Sequence, residues 1–327
     1  MTALHLWRTV LAAVLLAGCG GSRADPPALV LKQTIALPGV QGRIDHLAID
    51  SVHRRLFVAE IANGSVDVVD LKSGGILKHI AGLKEPQGVA WLPDREGLVV
   101  ACGGEGAVRV YAGGDFTLLK TIGGLDDADN ARVDPVTGQI VVGYGSGGLA
   151  VIDPSSLAVV QTIALPAHPE GFQVDPASHR AYVNLPGALK IAVADLASGK
   201  VVGGWSAAQA LENFPMAIDP AGRVIAAGFR LPGRFIAYDP AGKVLANLPG
   251  CGTSDDVFFD VAKHRFYMLC GDGHVDVFGG APLHREDEVT SQAGGRTGLF
   301  DTDNATLYVA ASASGVKPAA VLVFRAN

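Results

Sequence analysis

The chain has 327 residues, of which 49% are apolar and only 18% charged, ample for a large buried core. Its formal net charge is −6, with no basic tract and no interleaving of aromatic and basic residues, which excludes an electrostatic footprint for nucleic acid. Glycine is abundant (42 residues) and aromatics make up only 6%, a composition suited to many tight turns between short strands.

At the N-terminus, His5 and Arg8 precede an apolar run from Val10 to Ala17. The run is too short to span a bilayer as a mature helix and reads as a targeting segment. It ends in Leu16-Ala17-Gly18-Cys19, which resembles the bacterial lipoprotein signal. That resemblance implies removal of residues 1–18, acylation of Cys19 and a membrane-anchored mature chain. Gly20 behind the cysteine, rather than Asp, implies the outer membrane, facing the periplasm. An ordinary secretory signal with a coincidental cysteine is the plain alternative. Residues 19–27 form a polar, breaker-rich tether, and residues 28–327 a single domain.

The domain opens with LVLKQTIAL (Leu29 to Leu37), followed by a repeated unit. An Asp closes the first strand of each unit at Asp50, Asp134, Asp175, Asp219, Asp260 and Asp301, with Leu92 and the turn Pro93-Asp94 in the second unit. Six steps cover the 251 residues from Asp50 to Asp301, a period near 42. The unit from Asp126 to Ile163 shows the pattern: a polar knot, a turn at Asp134-Pro135, and apolar runs split by glycines. A last alternating strand from Leu157 to Ile163 closes it. Four short strands at this period are the signature of a propeller blade. The last unit stops after three strands, and Leu29 to Leu37 matches a fourth, as in VVQTIAL from Val159 to Leu165. The expected fold is therefore an all-β, seven-bladed propeller of four-stranded antiparallel blades, closed by the N-terminal strand, which removes open sheet edges.

Segments such as VDVVDLKSGGILKHI, LAVIDPSSLAVVQTI and IAVADLASGKVV resemble the YVTN-type, YncE-like propellers of bacterial exported proteins, over roughly residues 28–327. The resemblance implies architecture and an exported location, and it brings no catalytic residues. The chain departs from the pattern at Arg230 to Arg234, where the blade-five hairpin is longer than its counterparts.

Register across the repeats separates packing from chemistry. Five residues before each anchor stand Asp45, Gln87, Asp129, Glu170, Phe214, Asp255 and Arg296. The next column is His46, Gly88, Asn130, Gly171, Pro215, Asp256 and Thr297. A further step gives the apolar set Leu47, Val89, Ala131, Phe172, Met216, Val257 and Gly298, which core packing explains. The first column should converge on one mouth of the central channel, where clustered carboxylates need compensation. Arg43, Arg132 and Arg296 are candidates for pairing with them. A Ca²⁺ or Mg²⁺ ion is another, held by Asp129, Glu170 and Asp255 with oxygens of Asn130, Asn213 and Asp256. His46 and His168 would admit a transition metal instead. The remaining histidines, His53, His79, His179, His264, His274 and His284, fall in turns or outer strands and read as solvated.

Cys102 and Cys270 occupy the same place in different repeats and should lie far apart. Cys251 and Cys270 flank one hairpin and are the only candidate disulfide; three buried thiols are the alternative. No Gly-x-Ser-x-Gly elbow, P-loop, HExxH or Cys-x-x-Cys-His motif appears.

These observations favour a tethered periplasmic binding or scaffolding monomer that meets a small ligand or an envelope protein through the mouth. A metal-dependent, lactonase-like hydrolase with a divalent cation in the channel is the alternative. A structural propeller whose rim contacts other proteins is the third reading.

Overall fold

The computed structural model describes residues 26–327 except Pro220 and Gly222, so the signal (1–18), Cys19 and most of the tether lie outside the described residues. The described chain forms seven four-stranded sheets. Six are built from consecutive strands, as in blade one with Leu47–Asp50, Arg55–Glu60, Ser65–Asp70 and Ile76–Ala81. The seventh joins Thr297–Asp301, Thr306–Ala311 and Ala320–Ala326 to the N-terminal strand Leu29–Ala36. Leu29 pairs with Ala326 and Ala36 with Ala320, antiparallel. The predicted closure is thus realised, and each end of the fold protects the other's edge.

The recurring aspartates are turn residues. Asp134 accepts the Val136 amide at 2.9 Å and the Thr137 hydroxyl at 2.6 Å. Asp175, Asp260 and Asp301 each accept a backbone amide two residues on, at 3.0, 2.9 and 3.1 Å. A carboxylate that satisfies the turn amides stabilises the reversal between first and second strands, which explains its recurrence without any catalytic role.

Packing follows from the alternation of strand side chains. Apolar residues on one face of each blade meet those of the next, and Phe57, Val66 and Val68 of blade one pack with Val89, Leu98 and Val100 of blade two. Leu47, Val89, Ala131, Phe172, Met216 and Val257, the apolar column, are all at most 5% exposed. The inner strands crowd so closely that a Cβ at Gly88 would stand 2.1 Å from the Asp129 carbonyl oxygen, and one at Gly171 would stand 2.4 Å from that of Phe214. Glycine in the second column is therefore a close-approach requirement.

Cys251, in the strap from blade five to blade six, is disulfide-bonded to Cys270, with Cα atoms 5.9 Å apart. Pairing, not three separate thiols, is the arrangement adopted. Cys102 is free and buried, and burial pushes its thiol up to about 12, so it carries no nucleophile.

Candidate functional site at the channel mouth

The loops that feed the innermost strands deliver their side chains to a single cavity of about 260 Å³. All seven residues of the first column line it: Asp45, Gln87, Asp129, Glu170, Phe214, Asp255 and Arg296. His46, Asn130, His168 and Arg43 join them as expected. Two predicted residues sit deeper, since Arg132 and Asp256 line the channel below the mouth with His46. Asn213 does not face the cavity. It is 1% exposed, and its side-chain amide donates to Asn184 Oδ1 at 3.0 Å and to the Lys190 carbonyl at 3.1 Å. Asn184 in turn donates to the Phe214 and Pro215 carbonyls, so this asparagine pair braces the loop that carries Phe214.

Five basic side chains (Arg43, His46, His168, Arg230 and Arg296) face five carboxyls (Asp45, Asp127, Asp129, Glu170 and Asp255). The two signs are interleaved. Arg43 Nη2 lies 2.9 Å from Asp45 Oδ2. Asp255 is clasped from two sides: Arg296 Nε stands 2.6 Å from Oδ2, and Arg230 hydrogen-bonds Oδ1. Arg230 also donates to the Ser254 carbonyl at 3.3 Å, and its guanidinium lies 3.9 Å from the centroid of the Phe214 ring. Stacking and chelation together fix its planar fork. Below, His46 Nδ1 lies 3.4 Å from Asp256 Oδ2, which also accepts the Gly298 amide at 2.9 Å.

Protonation follows from this layout. Burial disfavours the His46 imidazolium, yet Asp256 and then Asp45 outweigh it and raise the group to about 9. His168 is also raised to about 9, chiefly by Asp129 and by its contact with the Gly145 carbonyl, which lies 2.6 Å from Nδ1. Glu170 is pushed up to about 7 by burial first and by the Asp129 charge second. Its carboxyl meets no hydrogen-bond partner among the described residues, and Asn130 Oδ1 is buried without one. The mouth therefore keeps two acceptors uncommitted within an otherwise paired ring of charge.

The cation set drawn from the sequence does not close up. Among the described residues, Asp129, Glu170 and Asp255 are not among the groups whose ligand atoms lie within 4.8 Å of one another, and Asp255 is held by two guanidiniums. Two such groups occur elsewhere: Glu60 with Asp67 and His79, and Cys251 with Cys270, His274 and Asp276, where both sulfurs are spent in the disulfide. The reading of outer histidines as simply solvated also needs correction. His79 Nδ1 stands 2.7 Å from Asp67, and His179 Nε2 reaches Asp134 of the preceding blade at 2.6 Å.

Arg230 and Phe214 are the lining residues of the candidate site that sequence reasoning passed over. Phe214 stood in the aligned column as its one apolar member. Arg230 lies outside any aligned column, and the lengthened blade-five hairpin was its signal: the second strand, Val224–Leu231, runs eight residues and carries Arg230 to the mouth.

No family model matches the chain, and no curated protein matches it. Among solved structures it resembles a chain of hydrazine synthase from Kuenenia stuttgartiensis, with a TM-score of 0.70 and 18% identity over 84% of this chain and 96% of that one. At that identity the likeness shows the propeller fold alone.

Proposed function

We propose that this chain is an exported, lipid-tethered monomeric propeller that binds a small polar ligand at its channel mouth. The observation that carries the reading is the convergence of seven equivalent positions, one per blade, on one charged cavity. Packing explains the neighbouring apolar column and leaves this one unexplained. The cavity lies just below the 300–1,000 Å³ range usual for largely apolar ligand pockets, and its lining is mostly polar, which suits a compact ligand rich in hydrogen-bonding groups. Glu170 and Asn130 Oδ1 supply acceptors for hydroxyl or ammonium groups, while Arg43, 46% exposed, offers a guanidinium edge to an anionic one. The lipoprotein-like N-terminus, the likeness to YVTN-type proteins and the disulfide support the exported setting. The hydrolase alternative requires carboxylates free to hold a cation at the mouth, and the guanidiniums on Asp45 and Asp255 rank it second.

The test is thermal denaturation of the wild type and Arg230→Ala against a panel of amino acids, hydroxy acids and sugar acids. A ligand at a hundred times its Kd adds about 2.7 kcal/mol, which at about 2 °C per kcal/mol for a chain of this size raises Tm by about 5 °C. At least one compound should do so in the wild type and not in the variant. Failure of every compound, or an equal shift in Arg230→Ala, would refute the assignment to the mouth.

A further inference from the structure

Blade one buries a cluster of ligating side chains that plays no part in the mouth. Glu60 ends the second strand, Asp67 lies in the third and His79 in the outer one. Glu60 is opposite Ser65, and Asp67 is opposite both Val58 and His79. Strand alternation therefore puts Glu60, Asp67 and His79 on one face of the sheet, on three adjacent strands. The same face carries Val58, which packs against Val40 and Ile44. Glu60 is 0% exposed and Asp67 is 3% exposed, so two carboxyls are buried within the blade.

The local hydrogen bonds do not complete this group. The Ser65 hydroxyl donates to Glu60 Oε2 at 2.6 Å, and His79 Nδ1 stands 2.7 Å from Asp67 Oδ1. Glu60 Oε1 is buried with no partner at all. Two buried acids side by side, one with an orphaned oxygen, are relieved either by holding a proton between them or by positive charge, and the imidazole at the rim brings positive charge. One ligand atom from each of the three residues lies within 4.8 Å of the other two, and Glu60 also carries the orphaned oxygen.

We propose that Glu60, Asp67 and His79 form a binding site for one divalent transition-metal ion of the zinc class. Two carboxylate oxygens and an imidazole nitrogen are a zinc donor set, with water as the fourth ligand of a tetrahedron. Calcium requires six to eight oxygens, more than these three side chains supply, and magnesium a near-ideal octahedron of them. The His79 side chain is 56% exposed, so the ion has a route from solvent that leaves the blade intact. The ion would tie three strands of blade one together on the face turned toward blade seven, and it would act independently of any ligand at the mouth.

Calorimetric titration of Zn²⁺ into metal-stripped full-length protein tests the site. The wild type should bind one equivalent, with affinity reduced at least tenfold in His79→Ala and in Asp67→Asn. His79→Ala and the milder His79→Gln shorten or neutralise a side chain that is 56% exposed, and circular dichroism checks the fold of each before binding is read. Absence of stoichiometric binding in the wild type overturns the proposal. Wild-type affinity in a folded His79→Ala overturns it as well.

Discussion

Replacing Glu170 by Gln isolates the cost of holding an uncommitted carboxyl in the channel mouth. The ordinary value of 4.5 is raised to about 7, burial contributing most and the Asp129 charge next. Because the folded-state pKa is raised, the neutral carboxyl's advantage is fully present below pH 4.5 and is lost as pH climbs through about 7. At about 1.4 kcal/mol per pH unit, that interval bounds the loss at about 3.5 kcal/mol. Glu170 is only partly buried, and solvent screening reduces this to roughly 1–2 kcal/mol. Glu170→Gln is nearly isosteric and cannot ionise, so it escapes the loss. At pH 8 it should melt about 2–4 °C above the wild type, and at pH 4.5 the two should coincide. Thermal unfolding of both proteins at the two pH values measures the difference. A Tm gap that does not change with pH, or a less stable Glu170→Gln at pH 8, would show that the Glu170 carboxylate is stabilised by Arg230 and His168 more than it is penalised by burial.

Three other outcomes follow from separate features. Removing the disulfide with Cys251→Ala opens a loop of 19 residues in sequence separation, which the chain-entropy model values at about 3 kcal/mol; urea unfolding of oxidised wild type and variant reads it. Gly88→Ala forces a Cβ to 2.1 Å from the Asp129 carbonyl, a contact with backbone that no rotamer relieves. It should cost roughly 3 kcal/mol by the same assay and displace the Asp129 loop, weakening any ligand found at the mouth. Cys19→Ser should move the protein from the membrane fraction to the soluble exported fraction, read by fractionation and by mass spectrometry of the mature N-terminus.

Blade architecture was readable because it is written seven times. The period near 42, the Asx-turn aspartates and the split seventh blade are each redundant, so a variation such as Leu92 in place of an aspartate leaves the register intact. The mouth was readable for the same reason: residues at one phase of the repeat occupy one place around the ring, as the lining of the cavity shows. Depth along the channel was less legible. Asp129 and Asp256 are neighbours in register, yet one faces the mouth and the other turns inward to His46 and the Gly298 amide. Strand alternation separates adjacent residues, and the short inner strands leave little pattern from which to read which way each points. Asn213 failed as a cavity residue because its amide finds closer partners in Asn184 and the Lys190 carbonyl.

Compensation of the carboxylates was the open question in the sequence, with arginine and a cation as competing answers. The structure separates them by place. At the mouth, Asp255 receives two guanidiniums, and one of them, Arg230, comes from the lengthened second strand of blade five. An insertion is free of the packing constraints that hold repeated positions to small or apolar residues, so it is where a fold can add a charged, functional side chain. In blade one the ion pair and hydrogen bond to Asp67 and Glu60 among the described residues come from His79 and Ser65 rather than from arginine, and an oxygen is left without a partner. Where the chain supplies guanidinium, the carboxylates become part of a charge-paired polar wall. Where it supplies only His79, the same physical demand points to an ion from solution.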